Sequence, residues 1–329
     1  MECRIDAPGV WPNLPLRESP ADARLTPHFR DTLESMNRRF SRRAWIASGA
    51  AMPFAFETAL EAAPGAPPYT LSINIEIMFP RTMSRAERMK VVAAQGFTAY
   101  SFWNTTEEEQ DAMLKVQEQT GLKCASITGP GSSVSSTGLT KPGMEKVFLD
   151  DMTARVKMAS RFGGPMPIIF VGRNQPDVLW EQQRAQIVSG LKKAGDIAAE
   201  RGITLVVEPL STANGQTRMA LDTAAAAFPA IAEVNHPHVK ICFDMYHLQL
   251  MEGNITSHLR EGLGKGLIGL VQIGEVPGRH EPGTGEIDYA YMMRVLRELK
   301  YNGYLDTEMG STTTPEAAMQ LARKMSLEN

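Results

Sequence analysis

Four oxygen-bearing side chains stand at the ends of apolar segments that are typical of buried parallel strands. Five aliphatic or β-branched residues run directly into Glu208, and three later apolar segments end near Asp244, Gln272 and Glu308. In α/β enzymes the carboxyl ends of parallel strands form one mouth or crevice, and the chemistry takes place there. The spacing therefore predicts that these four side chains converge on one small volume.

Three carboxylates in such a volume need a positive charge to neutralise them. Two like charges 4 Å apart repel by about 4 kcal/mol at an effective dielectric of 20. A divalent cation relieves that repulsion, and an all-oxygen ligand set favours Mg²⁺ or Mn²⁺. We therefore expect a Mg²⁺ or Mn²⁺ site formed by Glu208, Asp244, Gln272 and Glu308. For any one of these residues, the alternative is a strand-end side chain that caps a helix or pairs with a loop arginine.

Further candidates for the site follow the same strands. His247, three residues after Asp244, is expected at the start of a loop, where imidazole could bind a substrate hydroxyl. Arg279 lies in a long Gly- and Pro-containing loop, and its planar guanidinium suits a carboxylate or several hydroxyls. Trp103 and Phe79 could form an apolar wall. The alternatives are surface positions for His247 and Arg279, and core packing for the two aromatic residues.

Strands and helices that could position these residues alternate along most of the chain. Apolar runs predict strands over 71–79, 97–103, 123–128, 167–172, 203–209, 239–246, 267–274 and 303–309. Helical patterns fall over 84–95, 107–120, 144–162, 178–201, 221–234, 255–262 and 288–300, and a last helix begins near 314. Eight such units in roughly 260 residues predict a (β/α)₈ TIM barrel. An open doubly wound sheet is the alternative, but no GxGxxG motif follows the first strand, so we expect no nucleotide cofactor.

Composition excludes several classes of protein. The 329 residues carry 34 Lys and Arg against 37 Asp and Glu, a net charge of −3 that gives no electrostatic support for nucleic acid binding. The three cysteines lie far apart and match neither a disulfide framework nor a zinc motif. No apolar run reaches the roughly 18 residues that span a bilayer, so stable membrane insertion is not expected.

The first 66 residues differ from the rest and are expected to be a disordered extension that contains an export signal. From Met36 onward, basic, apolar and small-residue regions follow one another in the order of such signals, and an arginine pair at 42–43 resembles the twin-arginine type. Export would place the protein in the periplasm, with a single catalytic domain over 67–329. The alternative is a cytoplasmic protein with an amphipathic N-terminal helix.

Several segments resemble hydroxypyruvate isomerase, a family of the xylose isomerase-like TIM barrels. The resemblance rests on VEPL around Glu208, FDMYH after Asp244, VQI around Gln272 and above all PGRHEPGTGEIDY over 277–289. It covers about residues 70–325, in matching order. At three places the chain departs from the family: Ser101 stands where an acid is common, Ser211 where Asn is frequent and Glu275 where Asp is frequent.

The resemblance implies a role for each candidate. Glu208, Asp244, Gln272 and Glu308 would bind the metal, and Glu208 and Glu308 would also shuttle a proton. The metal would polarise the substrate oxygens and stabilise a cis-enediolate, while His247 and Arg279 would hold the substrate. Epimerases of the superfamily usually carry His at the third ligand, so Gln272 favours the isomerase branch.

The expected activity is a metal-dependent isomerisation in carbohydrate metabolism, acting on a small hydroxy-carbonyl compound such as hydroxypyruvate, which would give tartronate semialdehyde. A ketose 3-epimerase with the same metal site is the first alternative, and a non-catalytic periplasmic sugar-binding barrel is the second. Abasic-site endonucleases of the superfamily hold several zinc ions with many His, whereas this chain has 6 His in all. The expected partner is therefore a small carbonyl or sugar substrate, and a homodimer remains open.

Overall fold

The structure is a computed structural model, and it describes residues 67–128, 138–212 and 218–327. The predicted extension and export signal over 1–66 lie outside the described residues and stay a prediction. No helix in the described part of the chain is both long and apolar enough to cross a membrane.

Eight parallel strands close into a barrel in chain order, with the first strand paired to the eighth. They are β1 Thr70–Asn74, β2 Ala99–Phe102, β3 Lys123–Ile127, β4 Met166–Ile169, β5 Leu205–Val207, β6 Val239–Asp244, β7 Ile268–Ile273 and β8 Tyr304–Thr307. The predicted TIM barrel is confirmed, and the alternative of an open sheet is wrong.

Helices follow each strand and form the outer ring. Within the described residues they are α1 Arg85–Ala94, α2 Glu107–Thr120, α3 Glu145–Arg161, α4 Trp180–Ala199, α5 Ala224–Val234, α6 Met245–Met251, α7 Ile255–Gly264, α8 Tyr289–Glu298 and α9 Pro315–Leu327. Eight of them match predicted helices, whereas the short helix α6 was not predicted.

Helix α6 corrects two predictions. Strand β6 was expected to continue to residue 246, but the carboxylate of Asp244 accepts the backbone N–H of Tyr246 at 2.8 Å and starts a helix there. An Asp in this capping position satisfies an amide that would otherwise lack a partner. His247 consequently lies in a helix and not in a loop, and its direction is fixed by the same residue that ends the strand.

Alternation along the strands separates an inner core from an outer one. Leu205 and Val207 of β5 belong to the large apolar cluster shared with the helices. Val206 belongs to a separate small cluster with Ile168, Cys242 and Leu270. Since side chains two residues apart share one face of a strand, Glu208 points to the same side as Val206, toward the barrel axis.

Candidate active site

The four predicted ligands lie together at the mouth of the barrel and are buried. Glu208 and Glu308 each follow the last residue of a strand, β5 and β8, while Asp244 and Gln272 are paired positions of β6 and β7. The Gln272 amide donates from Nε2 to Glu308 Oε2 at 2.5 Å. None of the four is more than 6% exposed. The structure therefore brings together the side chains that the sequence indicated.

Burial shifts the acidity of the two glutamates. It raises the pKa of Glu308 to about 7, although the Arg279 guanidinium acts in the opposite direction. It also raises the pKa of Glu208 well above its ordinary range, and the carboxylates of Glu308 and Asp244 add to this shift. At neutral pH one of these two carboxyl groups can therefore be protonated while the other is ionised.

Arg279 supplies a fixed positive charge next to these carboxylates. Its Nη2 donates to Asp244 Oδ2 at 2.6 Å and its Nε donates to the backbone oxygen of Glu308 at 3.0 Å. The guanidinium carbon lies 4.8 Å from the centre of the Tyr246 ring, within range of a cation–π contact. Three different elements thus hold one side chain over the mouth.

Two buried acids, Glu275 and Glu281, fix the conformation of the loop after β7 through hydrogen bonds. Glu275 accepts the backbone N–H groups of Gly283 at 2.8 Å and Ile287 at 3.1 Å. Glu281 accepts from the hydroxyl of Thr312 at 2.5 Å, beyond β8. These bonds tie the loop both to itself and to the segment that follows Glu308. We conclude that Glu275 organises the loop from a buried position.

His247 lies between Arg279 and the carboxylates. Its Nε2 is 3.0 Å from Arg279 Nη1, 3.5 Å from Glu208 Oε1 and 3.6 Å from Asp244 Oδ2. On the other side of the ring, Nδ1 lies 2.8 Å from the hydroxyl oxygen of Ser211. Burial lowers the pKa of His247 to about 4, so the ring is neutral at physiological pH.

Two overlapping sets of side chains could hold a metal ion. The ligand atoms of Glu208, Asp244 and His247 all lie within 4.8 Å of one another. The predicted set shares the first two and adds Gln272 and Glu308. In the structure Gln272 Oε1 accepts from the thiol of Cys242 at 3.0 Å, and Nε2 faces the carboxylates. Ligation by Gln272 would therefore require its amide to turn over.

Asp306 is a site residue that the sequence argument missed. It is fully buried inside the barrel and accepts from Gln272 Nε2 at 3.1 Å and from Ser101 Oγ at 2.8 Å. Burial raises its pKa to about 6, while the hydrogen bonds from Gln272 and Ser101 act in the opposite direction. The sequence does hold one indication of this role. Asp306 stands two residues before Glu308, so the two side chains point to the same side of the sheet. Ser101, one of the departures from the family, is the partner of this carboxylate.

The two aromatic candidates differ in their surroundings. Phe79 is 4% exposed and belongs to the large core cluster, in agreement with the packing alternative. Trp103 follows β2, is 38% exposed, and donates its backbone N–H to Glu76. Among the described residues, no hydrogen bond or ring contact links its side chain to the carboxylate group. Its role in substrate binding stays a prediction.

Comparisons with known proteins agree with the barrel. A family model described as xylose isomerase-like TIM barrel matches residues 89–327. The chain is 33% identical over 179 residues to hydroxypyruvate isomerase of Escherichia coli, covering 54% of this chain and 68% of that protein. It is 30% identical over 227 residues to 2-oxo-tetronate isomerase of Cupriavidus necator, covering 68% and 85%. The crystal structure of an AP endonuclease, family 2, from Brucella melitensis superposes with a TM-score of 0.68 at 26% identity, covering 77% of this chain and 96% of that one.

Proposed function

The chain belongs to the hydroxypyruvate isomerase family of xylose isomerase-like TIM barrels, and we propose that it isomerises a small hydroxy-carbonyl compound through an enediolate. The observation that carries the proposal is the pair of buried glutamates, Glu208 and Glu308, which face one volume at the barrel mouth. Hydroxypyruvate is the first candidate substrate and 2-oxo-tetronate the second, since these compounds name the reactions of the two isomerases matched above.

In this mechanism the two glutamates move one proton between neighbouring carbons. An ionised carboxylate takes a proton from the carbon that bears the hydroxyl group. The electrons move toward the carbonyl oxygen, and the enediolate forms. A protonated carboxyl then donates to the former carbonyl carbon, and the proton of the original hydroxyl group passes to the former carbonyl oxygen. The original hydroxyl oxygen thereby becomes the carbonyl oxygen of the isomeric aldehyde or ketone. A catalytic acid or base works best when its pKa lies near the operating pH, and in the protein without a bound cation the pKa of about 7 for Glu308 meets that condition.

Arg279, which His247 contacts along one edge, would bind the oxygen atoms whose charge grows in the transition state. Arg279 has five N–H donors, and three are used on Glu308, His247 and Asp244. Of the other two, the second N–H of Nη1 remains for a substrate oxygen or carboxylate, whereas Nη2 also lies 3.4 Å from Glu308 Oε1. Because the guanidinium is already held in place, it needs little reorganisation when charge develops, which is how preorganised donors lower a barrier.

The donor set also fits a divalent cation. The Arg279 guanidinium faces three buried carboxyls, of Glu208, Asp244 and Glu308, so the site has an excess of negative charge whenever they are ionised. We propose that Glu208, Asp244 and Glu308 hold Mg²⁺ or Mn²⁺, with Gln272 as a fourth ligand once its amide has turned over. When bound, such a cation polarises the carbonyl group and stabilises negative charge on its oxygen.

Turnover by matched variants tests the proposal. The full chain would be assayed with hydroxypyruvate, 2-oxo-tetronate and a panel of ketoses, before and after removal of metal by EDTA and after return of Mg²⁺ or Mn²⁺. Glu208→Gln is expected to abolish turnover. Glu298→Gln, at an exposed surface pair with Arg260, makes the same chemical change away from the site and should leave it intact.

Each half of the proposal has its own contrary result. Full activity of the Glu208→Gln variant would refute the glutamate shuttle. Activity that persists in thoroughly chelated protein, with no gain on return of Mg²⁺ or Mn²⁺, would refute the metal assignment and leave the shuttle standing.

A further inference from the structure

The ring of His247 receives more hydrogen-bond donors than it can accept. Arg279 Nη1 lies 3.0 Å from Nε2, and the backbone nitrogen of Ser211 lies 3.3 Å from Nδ1. Both groups can only donate, whereas a neutral imidazole has one accepting nitrogen and one N–H. One of the two contacts must therefore give way, and the choice decides which nitrogen carries the hydrogen.

The hydroxyl of Ser211 resolves this conflict. Ser211 Oγ lies 2.8 Å from Nδ1 and, unlike a backbone N–H, a hydroxyl can accept as well as donate. With the hydrogen on Nδ1, the ring donates to Ser211 Oγ while Nε2 accepts from Arg279. Of the three contacts with Ser211 and Arg279, only the longest, at 3.3 Å to the backbone nitrogen of Ser211, is lost.

The opposite tautomer makes poorer use of the same geometry. A hydrogen on Nε2 would oppose the N–H of Arg279 at 3.0 Å, and a guanidinium has no accepting atom. The carboxylate oxygens of Glu208 and Asp244 are 3.5 Å and 3.6 Å from Nε2, too far to compensate with a good hydrogen bond. A doubly protonated ring also carries a hydrogen on Nε2, and that hydrogen would likewise face the N–H of Arg279.

We propose that Ser211 is a positioning residue that holds His247 in the tautomer with the hydrogen on Nδ1. The lone pair of Nε2 then fixes one edge of the Arg279 guanidinium, and Asp244 Oδ2 fixes the other. This inference deepens the proposed function and rests on it in one respect, namely that Arg279 binds the substrate oxygens.

The arrangement connects two pairs of site residues through the chain. Ser211 is three residues beyond Glu208, and His247 is three residues beyond Asp244, in the first turn of α6. The contact between Ser211 and His247 therefore also helps to fix the Glu208 carboxylate relative to the Asp244 carboxylate. Loss of the hydroxyl is expected to release Arg279 without removing any group that touches the substrate.

The tautomer can be measured in the resting protein without any substrate. The full chain would be labelled with ¹⁵N-histidine, stripped of divalent metal, and studied by long-range ¹H–¹⁵N correlation of the imidazole rings. The signals of His247 are those that vanish in His247→Gln. We expect the hydrogen on Nδ1 in the wild type and in Ser211→Thr, which keeps the hydroxyl, and on Nε2 in Ser211→Ala.

Kinetics give the second readout. Ser211→Ala should lower kcat/KM at least tenfold, and Ser211→Thr should restore it to within a few-fold of wild type, with circular dichroism showing that both variants are folded. A hydrogen on Nε2 in the wild type, or an unchanged tautomer in Ser211→Ala, would overturn the inference. Should no substrate be turned over, the NMR result still decides the tautomer, so failure of the proposed function remains distinguishable from failure of this inference.

Discussion

Replacement of Glu308 by glutamine should stabilise the fold at neutral pH. The folded protein retains the proton of Glu308 up to a pKa of about 7, whereas the ordinary value is 4.5. Between these two pH values the folded state binds more protons than the unfolded state, so its stability falls as pH rises. The 2.5 pKa units between 4.5 and 7 correspond to about 3 kcal/mol, which the wild type loses across this window. Glutamine has nothing to ionise and avoids the loss.

The assay is urea-induced unfolding of both proteins at pH 5, 6, 7 and 8, in the absence of divalent metal. The free energy of unfolding of Glu308→Gln minus that of the wild type should grow by roughly 2 to 3 kcal/mol from pH 5 to pH 8, since part of the effect is already present at pH 5. Any constant offset from altered hydrogen bonds with Gln272 or Arg279 cancels in this comparison. Glu298→Gln changes an exposed carboxylate and should follow the wild-type curve.

A difference between Glu308→Gln and wild type that does not grow with pH would refute the reasoning, because Glu308 would then ionise as readily in the folded protein as in the unfolded chain. Addition of Mg²⁺ or Mn²⁺ provides an internal check. A ligand that binds only the folded state stabilises it, so the cation should raise the stability of the wild type at pH 8 more than that of the variant.

Two further substitutions test other contacts. Arg279→Lys keeps the charge, but the single nitrogen of a lysine side chain cannot reach Asp244, His247 and the Glu308 carbonyl together. We expect kcat/KM to fall roughly 10- to 150-fold, which corresponds to the loss of one hydrogen bond to a charged group. An unchanged kcat/KM would argue against a substrate-binding role for Arg279. Arg155→Met removes a buried guanidinium that is 3.0 Å from Asp151 and also bonds the Ile168 carbonyl; unfolding experiments should show a loss of about 3–5 kcal/mol. Lys146→Met, in an exposed pair of the same helix, should cost less than about 1 kcal/mol, and equal losses in the two variants would contradict the importance of burial.

The barrel could be predicted from sequence because its strands are buried on both faces. Such strands appear as short, continuous apolar runs, and β5 is the clearest case. Their exact ends depended on local hydrogen bonds that hydrophobicity does not encode. β6 stops at Asp244 because that carboxylate caps α6, and a reading based on apolar residues extended the strand to residue 246.

The convergence of Glu208, Asp244, Gln272 and Glu308 was predictable for a geometric reason. Once the order of strands in a barrel is known, their carboxyl ends must surround one mouth. Contacts between loops and helices were not predictable in this way. The approach of Ser211 to His247 depends on the direction in which α6 leaves β6.

Asp306 escaped prediction for a different reason. It lies between Leu305 and Thr307, where an acid interrupts an apolar strand. Only the inward alternation of β8 places it under Gln272, with Ser101 as its second partner.

The most direct measurement is the uptake of solvent deuterium during turnover. The full chain would convert hydroxypyruvate, or whichever compound of the panel proves to be a substrate, in D₂O, with NMR to locate the label. The glutamate shuttle predicts deuterium on the carbon that receives the proton, and its loss together with turnover in Glu308→Gln. Label at C3 of a 2-ketose, without conversion to an aldose, would instead indicate 3-epimerase chemistry. Product that forms at the wild-type rate without any deuterium would contradict the proposal that Glu208 and Glu308 move the proton.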